Sequence, residues 1–323
     1  PATHNLYESV QVVKAARKYN RMVQVGSQSR SMPHKMKAIQ LLREGAIGQV
    51  YHARAECFRR RFSIGHTPEE PVPAGLDWEN FLGPCQLRPF TRNRYLYNWH
   101  WFWETGNGDI GNQGVHEMDI SLWGLGRSGW PVAVSSSGGK FVWKDDQETP
   151  NTQQTTFDFG EAQMTFEVRN LPTPPEGLGG LRGPNYVGNI FFGSAGFLVV
   201  DHSGFQVYKS TAGDVSGAAA LGAGAGSRER YEKTLEEKGG GEPTDPHMQN
   251  WFQGIRARDY KLLHADIAIG ARSAAFCHLA NVAYRCGRTL RVSEATGQFL
   301  NDAEANSMWS RNYRAPYVVP EAV

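Results

Sequence analysis

The stretch Gly106-Asn107-Gly108-Asp109-Ile110-Gly111-Asn112-Gln113-Gly114-Val115-His116-Glu117-Met118-Asp119 holds the residue types from which a reaction site is made. Four glycines within nine positions let the backbone turn tightly and let another molecule come close. Val115, Met118, Leu122 and Leu125 then recur at spacings of three and four, which predicts an amphipathic helix. Asn112 stands where its N-cap belongs, and Gly126 where it should end. Asn112 and His116 would share a face near the positive end of that helix, with Asp109 and Asp119 on either side. Histidine titrates near neutrality, so His116 is the candidate proton acceptor. Asn112 would orient its ring, and Asp109 or Asp119 would supply the charge that steadies its protonated form. A structural histidine behind a glycine loop is the competing reading, and the residues alone leave both standing. The run His116-Glu117-Met118-Asp119-Ile120 lacks the second histidine of the helical zinc pattern, which argues against a metal here.

Just before this stretch comes Tyr95-Leu96-Tyr97-Asn98-Trp99-His100-Trp101-Phe102-Trp103. So many rings beside polar groups suit a pocket that stacks on a sugar or a cofactor, with Tyr97, Trp99, His100 and Trp101 as candidate contacts. Core packing is the alternative for about half of them.

The elements that must position these groups are read from the rest of the chain. At 323 residues it has room for one large domain or two ordinary ones. Hydrophobic residues make up 40% and charged residues 20%, a composition that can build a globular core. A net charge of +2 gives no argument for nucleic acid, and no run reaches the roughly 20 apolar residues of a membrane span. Arg59-Arg60-Arg61 reads as a solvated edge. The four cysteines are too scattered for a disulfide framework or a zinc knuckle.

Leu6, Val10, Val13 and Ala16 predict a first helix, Met22 to Gly26 a short buried parallel strand, and Met36 to Arg43 a second helix stopped by Gly45. Gln28 and Arg30 come after the carboxyl end of that strand, where open α/β sheets place ligands. Strands are expected at 50–58, 132–136, 153–159, 164–169, 189–192, 197–201 and 205–209, with Gly193-Ser194-Ala195-Gly196 as a hairpin turn. Residues 212–241, first rich in Gly and Ala and then charged, predict a mobile loop. Two helices come next. One, His247 to Arg258, carries Met248, Trp251, Phe252 and Ile255 on one side; the other spans Ala265 to Arg285. Beyond Val292 an irregular tail is expected.

These features together resemble the glucose-fructose oxidoreductase, inositol dehydrogenase and rhizopine-catabolism (Gfo/Idh/MocA) family. Pro1 and His4 to Lys18 look like the segment that comes after that family's Glu-Lys-Pro motif. Val25 to Pro33 is similar to the end of its nucleotide domain. Gly106 to His116 is similar to its pattern of glycines, acid, glycine and histidine, and His247 to Arg288 looks like its paired C-terminal helices. The resemblance implies a mixed α/β and α+β fold. Residues 1–48 would be the closing part of a Rossmann domain that holds NAD or NADP. Residues 49–323 would form a substrate and oligomerisation domain on an open, mostly antiparallel sheet flanked by helices.

It implies hydride transfer between the nicotinamide and a sugar, inositol or related polyol, by a protein that forms homo-oligomers. His116 matches the family's histidine, Asn112 occupies the position of its acid, and Pro1, Gln28 and Arg30 fall on the cofactor side. The family's lysine would stand immediately before Pro1, so the chain is expected to be the later part of a longer product. An NAD-dependent glycosidase and a non-catalytic sugar-binding or assembly protein are the rival expectations.

Overall fold

A computed structural model describes residues 1–173, 186–211, 230–241 and 243–323. Helix α1 (Leu6–Lys18) is started by Asn5, whose side chain accepts from the Glu8 amide, and it closes on the basic pair Arg17 and Lys18. Both ends therefore suit the helix dipole. The segment Met22 to Gly26 is not a parallel strand. It makes one antiparallel bridge, Gln24 with Asp266, flanked by Val25 N to Ala265 O at 2.9 Å and Ile267 N to Val23 O at 2.9 Å. Its backbone groups are satisfied by the start of a distant helix rather than by a neighbouring strand. Helix α2 (Pro33–Arg43) begins with proline at its first position, where no amide is needed.

Among the described residues nine strands form one sheet: β1 (Val50–Phe58), β2 (Ala133–Gly139), β3 (Thr152–Asp158), β4 (Gln163–Arg169), β5 (Tyr186–Gly193), β6 (Gly196–Asp201), β7 (Gly204–Ser210), β8 (Tyr231–Lys238) and β9 (Leu290–Arg291). Their spatial order is β8-β7-β6-β5-β1-β4-β3-β2-β9. Of these nine strands only β1 and β4 run parallel, with Ala55 beside Phe166; the other pairings among them are antiparallel. The sheet is thus open and mostly antiparallel, as the resemblance implies.

Strand alternation gives the sheet two different faces. Ala53, Ala55 and Cys57 of β1, Met164, Phe166 and Val168 of β4, and Phe191 of β5 point into the main core. There they meet Ile110, Met118 and Leu122 of helices α4 (Gly108–Asn112) and α5 (Gly114–Leu125), and Phe276 and Leu279 of α7 (Ile267–Cys286). Phe166 is fully buried, and truncation to alanine would cost about 3–5 kcal/mol. The opposite face carries His52, Arg54, Thr165, Glu167 and Phe192, with His52 Nε2 2.9 Å from Thr165 Oγ1.

Several sequence expectations are corrected. Residues 231–238 form an ordered edge strand on β7. Its glutamates and lysines suit an exposed edge; residues 212–229, expected to be a mobile loop, lie outside those described. The apolar side of helix α6 (Thr244–Ala257) faces outward: Met248, Phe252 and Ile255 are exposed, while His247, Asn250 and Gly254 are buried. Hydrogen bonds decide this orientation. His247 Nε2 meets Val25 O at 2.8 Å, and Asn250 donates to Leu262 O and accepts from the His264 amide. The tail is not wholly irregular, because Asp302 caps a short helix α8 (Ala303–Ser307). A further short helix, α3 (Trp78–Leu82), anchors the proline-rich excursion through Trp78, Leu82, Cys85 and Phe90. No helix among the described residues is long and apolar enough to cross a membrane.

Candidate active site

Tyr95 packs on the Trp78 and Phe90 cluster, and from there the chain runs into α4 and α5, which lie between the sheet and α7. A six-residue 3-10 turn, Leu96–Trp101, brings its rings together. His100 stacks on Trp99 with centroids 3.9 Å apart, and Tyr97 tilts against His100 at 4.7 Å. Tyr97 is exposed and Trp99 half-buried, whereas Trp101 is buried and belongs to the supporting layer. The chain then doubles back so closely that a Cβ on Gly106 would fall 2.3 Å from the His100 carbonyl oxygen, which only glycine tolerates. A Cβ on Gly111 would stand 3.5 Å from the Pro1 ring, so Pro1 lies beside the glycine loop.

The expected single helix with Asn112 as its cap is two helices, α4 and α5, joined at Gln113. Gln113 keeps right-handed helical angles, so the two run on with little change of direction. Gly126, at φ +70°, ends α5 as expected. Asn112 neither caps α5 nor turns toward His116. Its amide donates to Asp109 Oδ1 at 3.1 Å and reaches the Tyr97 hydroxyl at 3.5 Å.

Asp109 is the hub of this side of the site. Arg61 grips it from Nε to Oδ2 at 3.2 Å and from Nη2 to Oδ1 at 2.8 Å, and Asn170 donates to Oδ2 at 2.5 Å. The Arg61 amide in turn donates to Asn170 O at 2.9 Å, which fixes the arginine beside its partner. Burial would weaken the charge on Arg61, but the Asp109 contacts outweigh it and raise the guanidinium above its usual value. Arg61 also donates to the Tyr97 hydroxyl at 2.8 Å and lies over the Trp101 ring. Of the basic run, then, Arg59 and Arg60 are solvated and Arg61 is not. With every donor around it already engaged, Asp109 positions Arg61, Asn112 and Tyr97.

The other side is built on the first turns of α5. No side-chain hydrogen bond or ion pair reaches the half-buried His116 ring among the described residues. Burial lowers its pKa below the usual 6.5; Asp119 opposes the shift and Lys35 adds to it. Asp119 is itself held by Arg30, Nε to Oδ2 at 2.6 Å and Nη2 to Oδ1 at 3.0 Å, and by the Ser273 hydroxyl at 2.8 Å. Arg30 therefore spends its fork on Asp119, with its guanidinium over the Trp123 ring. Gln28 begins the 3-10 turn Gln28–Ser31, and no side-chain hydrogen bond of its own is found among the described residues.

Two functional candidates here were not read from the sequence. Lys35 is buried and donates to Ser29 Oγ at 3.2 Å. Burial lowers its pKa, against the opposing carboxylates of Glu117, Asp201 and Asp119. Glu117 is buried with Oε2 unpartnered among the described residues, and burial raises its pKa to about 7, with Lys35 opposing. One signal for Lys35 was available, since it shares a helical stripe with Ile39 and Leu42. No group of three or more His, Cys, Asp or Glu side chains among the described residues could hold a metal ion.

Residues 49–150 match the model of the oxidoreductase family, C-terminal alpha/beta domain, of the Gfo/Idh/MocA group. Solved structures extend the likeness over nearly the whole chain. An aldose-aldose oxidoreductase from Caulobacter crescentus, complexed with glycerol, superposes with a TM-score of 0.60 at 14% identity, covering 90% of this chain and 70% of that one. The present chain has the fold of the Gfo/Idh/MocA oxidoreductases. The WlbA dehydrogenase of Bordetella pertussis, in complex with NADH and UDP-GlcNAcA, gives 0.56 at 16% identity, covering 90% and 69%. An NAD binding oxidoreductase from Klebsiella pneumoniae gives 0.60 at 14% identity, covering 90% and 72%. No curated protein matches the sequence. The Gfo/Idh/MocA fold accounts for the open sheet and for the helix pair α6 and α7 beside it.

Proposed function

We propose that this chain carries the substrate side of an NAD(P)-dependent oxidoreductase that moves a hydride between the nicotinamide and a carbon of a sugar, inositol or related polyol. The observation that supports this most is His116: a half-buried imidazole, kept neutral by burial and without a protein partner among the described residues, one turn from Asp119. Such a group can accept the hydroxyl proton as the carbinol carbon gives up its hydride. Asp119, held in place by Arg30 and Ser273, then favours the imidazolium that forms. The Tyr97 hydroxyl, which accepts from Arg61 and Asn112, keeps its own proton to donate to a substrate oxygen, and the Tyr97, Trp99 and His100 rings offer a face for a sugar.

The residues present fit the nicotinamide end of a cofactor. Pro1 lies beside Gly111, the Gln28 amide is unengaged among the described residues, and Lys35 is a buried cation on the same side as His116. Gln28 and Lys35 would hold that end, while Arg30 acts through Asp119. When bound, the cofactor supplies the hydride acceptor or donor, and the protein supplies geometry and the proton path. We take residues 1–48 as the nucleotide side and 49–323 as the substrate and oligomerisation side. The sheet face bearing His52, Arg54 and Phe192 would meet a second copy.

The test is a panel of aldoses, inositols and nucleotide sugars with NAD and NADP, read by nicotinamide absorbance and repeated with His116→Ala. Turnover that is abolished by the substitution is the expected result. Turnover at the wild-type rate without His116 would overturn the assignment, and nicotinamide binding with no oxidation of any member would overturn the reaction class.

A further inference from the structure

We propose that the pocket between the end of α7 and the C-terminal tail binds a phosphorylated sugar or polyol, at a site separate from His116. The pocket has a volume of about 360 Å³, large enough for such a ligand. Arg285 enters it from the last turn of α7 and Arg311 from the tail. Among the described residues neither guanidinium forms an ion pair with a carboxylate. Arg311 donates to the Glu104 carbonyl at 3.0 Å, and Arg285 lies over the Trp103 ring at 5.4 Å. The one carboxylate in the wall, Glu104, is already taken by Arg88 and by the Gln86 amide.

The electrostatics of the wall agree with two uncompensated cations. His4 lines the same pocket, and its pKa is pushed down to about 4, by burial first and then by Arg311, with Arg285 adding a smaller share. Two arginines on separate elements converging without a counter-ion form a fork for a tetrahedral oxyanion. The Asn107 and Asn312 side chains make no hydrogen bond among the described residues and face the same space, a donor and acceptor set for hydroxyls. Glucose 6-phosphate has both features.

Titration calorimetry of the intact protein with glucose 6-phosphate, inorganic phosphate and succinate tests this without any redox assay, so it stands or falls apart from the function proposed above. Saturable binding of both phosphates is expected, glucose 6-phosphate more tightly. R285Q and R311Q should each weaken it about tenfold or more, with melting temperature unchanged for R285Q because that side chain is exposed. The His4 ring resonances should titrate at higher pH in the presence of glucose 6-phosphate. Absence of saturable phosphate binding would overturn the proposal. So would binding that survives both substitutions, or a preference for succinate over the phosphates.

Discussion

Arg61 and Asp109, 48 residues apart in sequence, form a two-pronged ion pair in which the carboxylate is fully buried and the guanidinium nearly so. The pair joins the end of β1 to the glycine loop. Through Asp109 it sets Asn112, and through its own Nη1 it sets Tyr97.

Arg61→Met should therefore do more than remove a surface charge. It strands the Asp109 carboxylate in the interior, and an uncompensated buried charge of this kind costs about 3–5 kcal/mol. Urea unfolding of the variant and the parent measures the difference. A loss below about 1 kcal/mol, as for exposed pairs, would show that water reaches Asp109.

For His116 the expected outcome is kinetic. His116→Ala should lower hydride transfer roughly a hundredfold or more, the usual loss on removing a general base. The base works only when neutral, and burial holds its pKa below 6.5, so the rate should rise with pH with its midpoint below that value. Lys35 presses the same pKa down, so Lys35→Met should move the rise to higher pH. A pH–rate profile of the three proteins decides both points; an unmoved profile in Lys35→Met would separate Lys35 from His116.

Asn112→Asp should act on Asp109 rather than on His116. The Asn112 amide faces Asp109 at 3.1 Å, so the substitution sets two carboxyl groups against each other. One of them should then keep its proton to a higher pH when folded than when unfolded. Stability is accordingly lost as pH rises from about 4, the ordinary carboxylate value, toward neutrality. Thermal melting of variant and parent at acidic and neutral pH reads this directly. Equal differences at both pH values would mean that Arg61 absorbs the added charge.

Glu117 supplies a second pH signature. Its carboxyl is raised from 4.5 to about 7 in the fold. Between those values the unfolded chain releases a proton that the folded chain retains, so stability falls as pH rises through the window and levels off above it. Glu117→Gln removes the titrating group and should flatten that part of the curve. Urea midpoints across pH 4.5 to 7 for the two proteins provide the measurement, and parallel curves would exclude Glu117 as the source.

What the sequence determined by itself was local. The period of Val115, Met118 and Leu122, the stop at Gly126, the strand alternation of β1 to β7 and the Ser194-Ala195 turn all arise from spacing and from the conformational range of glycine. These depend on neighbours a few residues away, and so they were legible. Tertiary structure decided where the charges end. Arg61 reads as a solvated edge because its partner lies 48 residues on, and Arg30 meets Asp119 across 89 residues. The apolar stripe of α6 faces outward while His247 and Asn250 face inward, where both find hydrogen-bond partners that lie far away in sequence or across a turn. Asn112 likewise looked like a cap, four residues ahead of His116, until the fold set Asp109 and Tyr97 within reach of its amide. Hydrophobic periodicity is written in the order of residues, whereas the pairing of buried charges depends on which elements the folded sheet brings side by side.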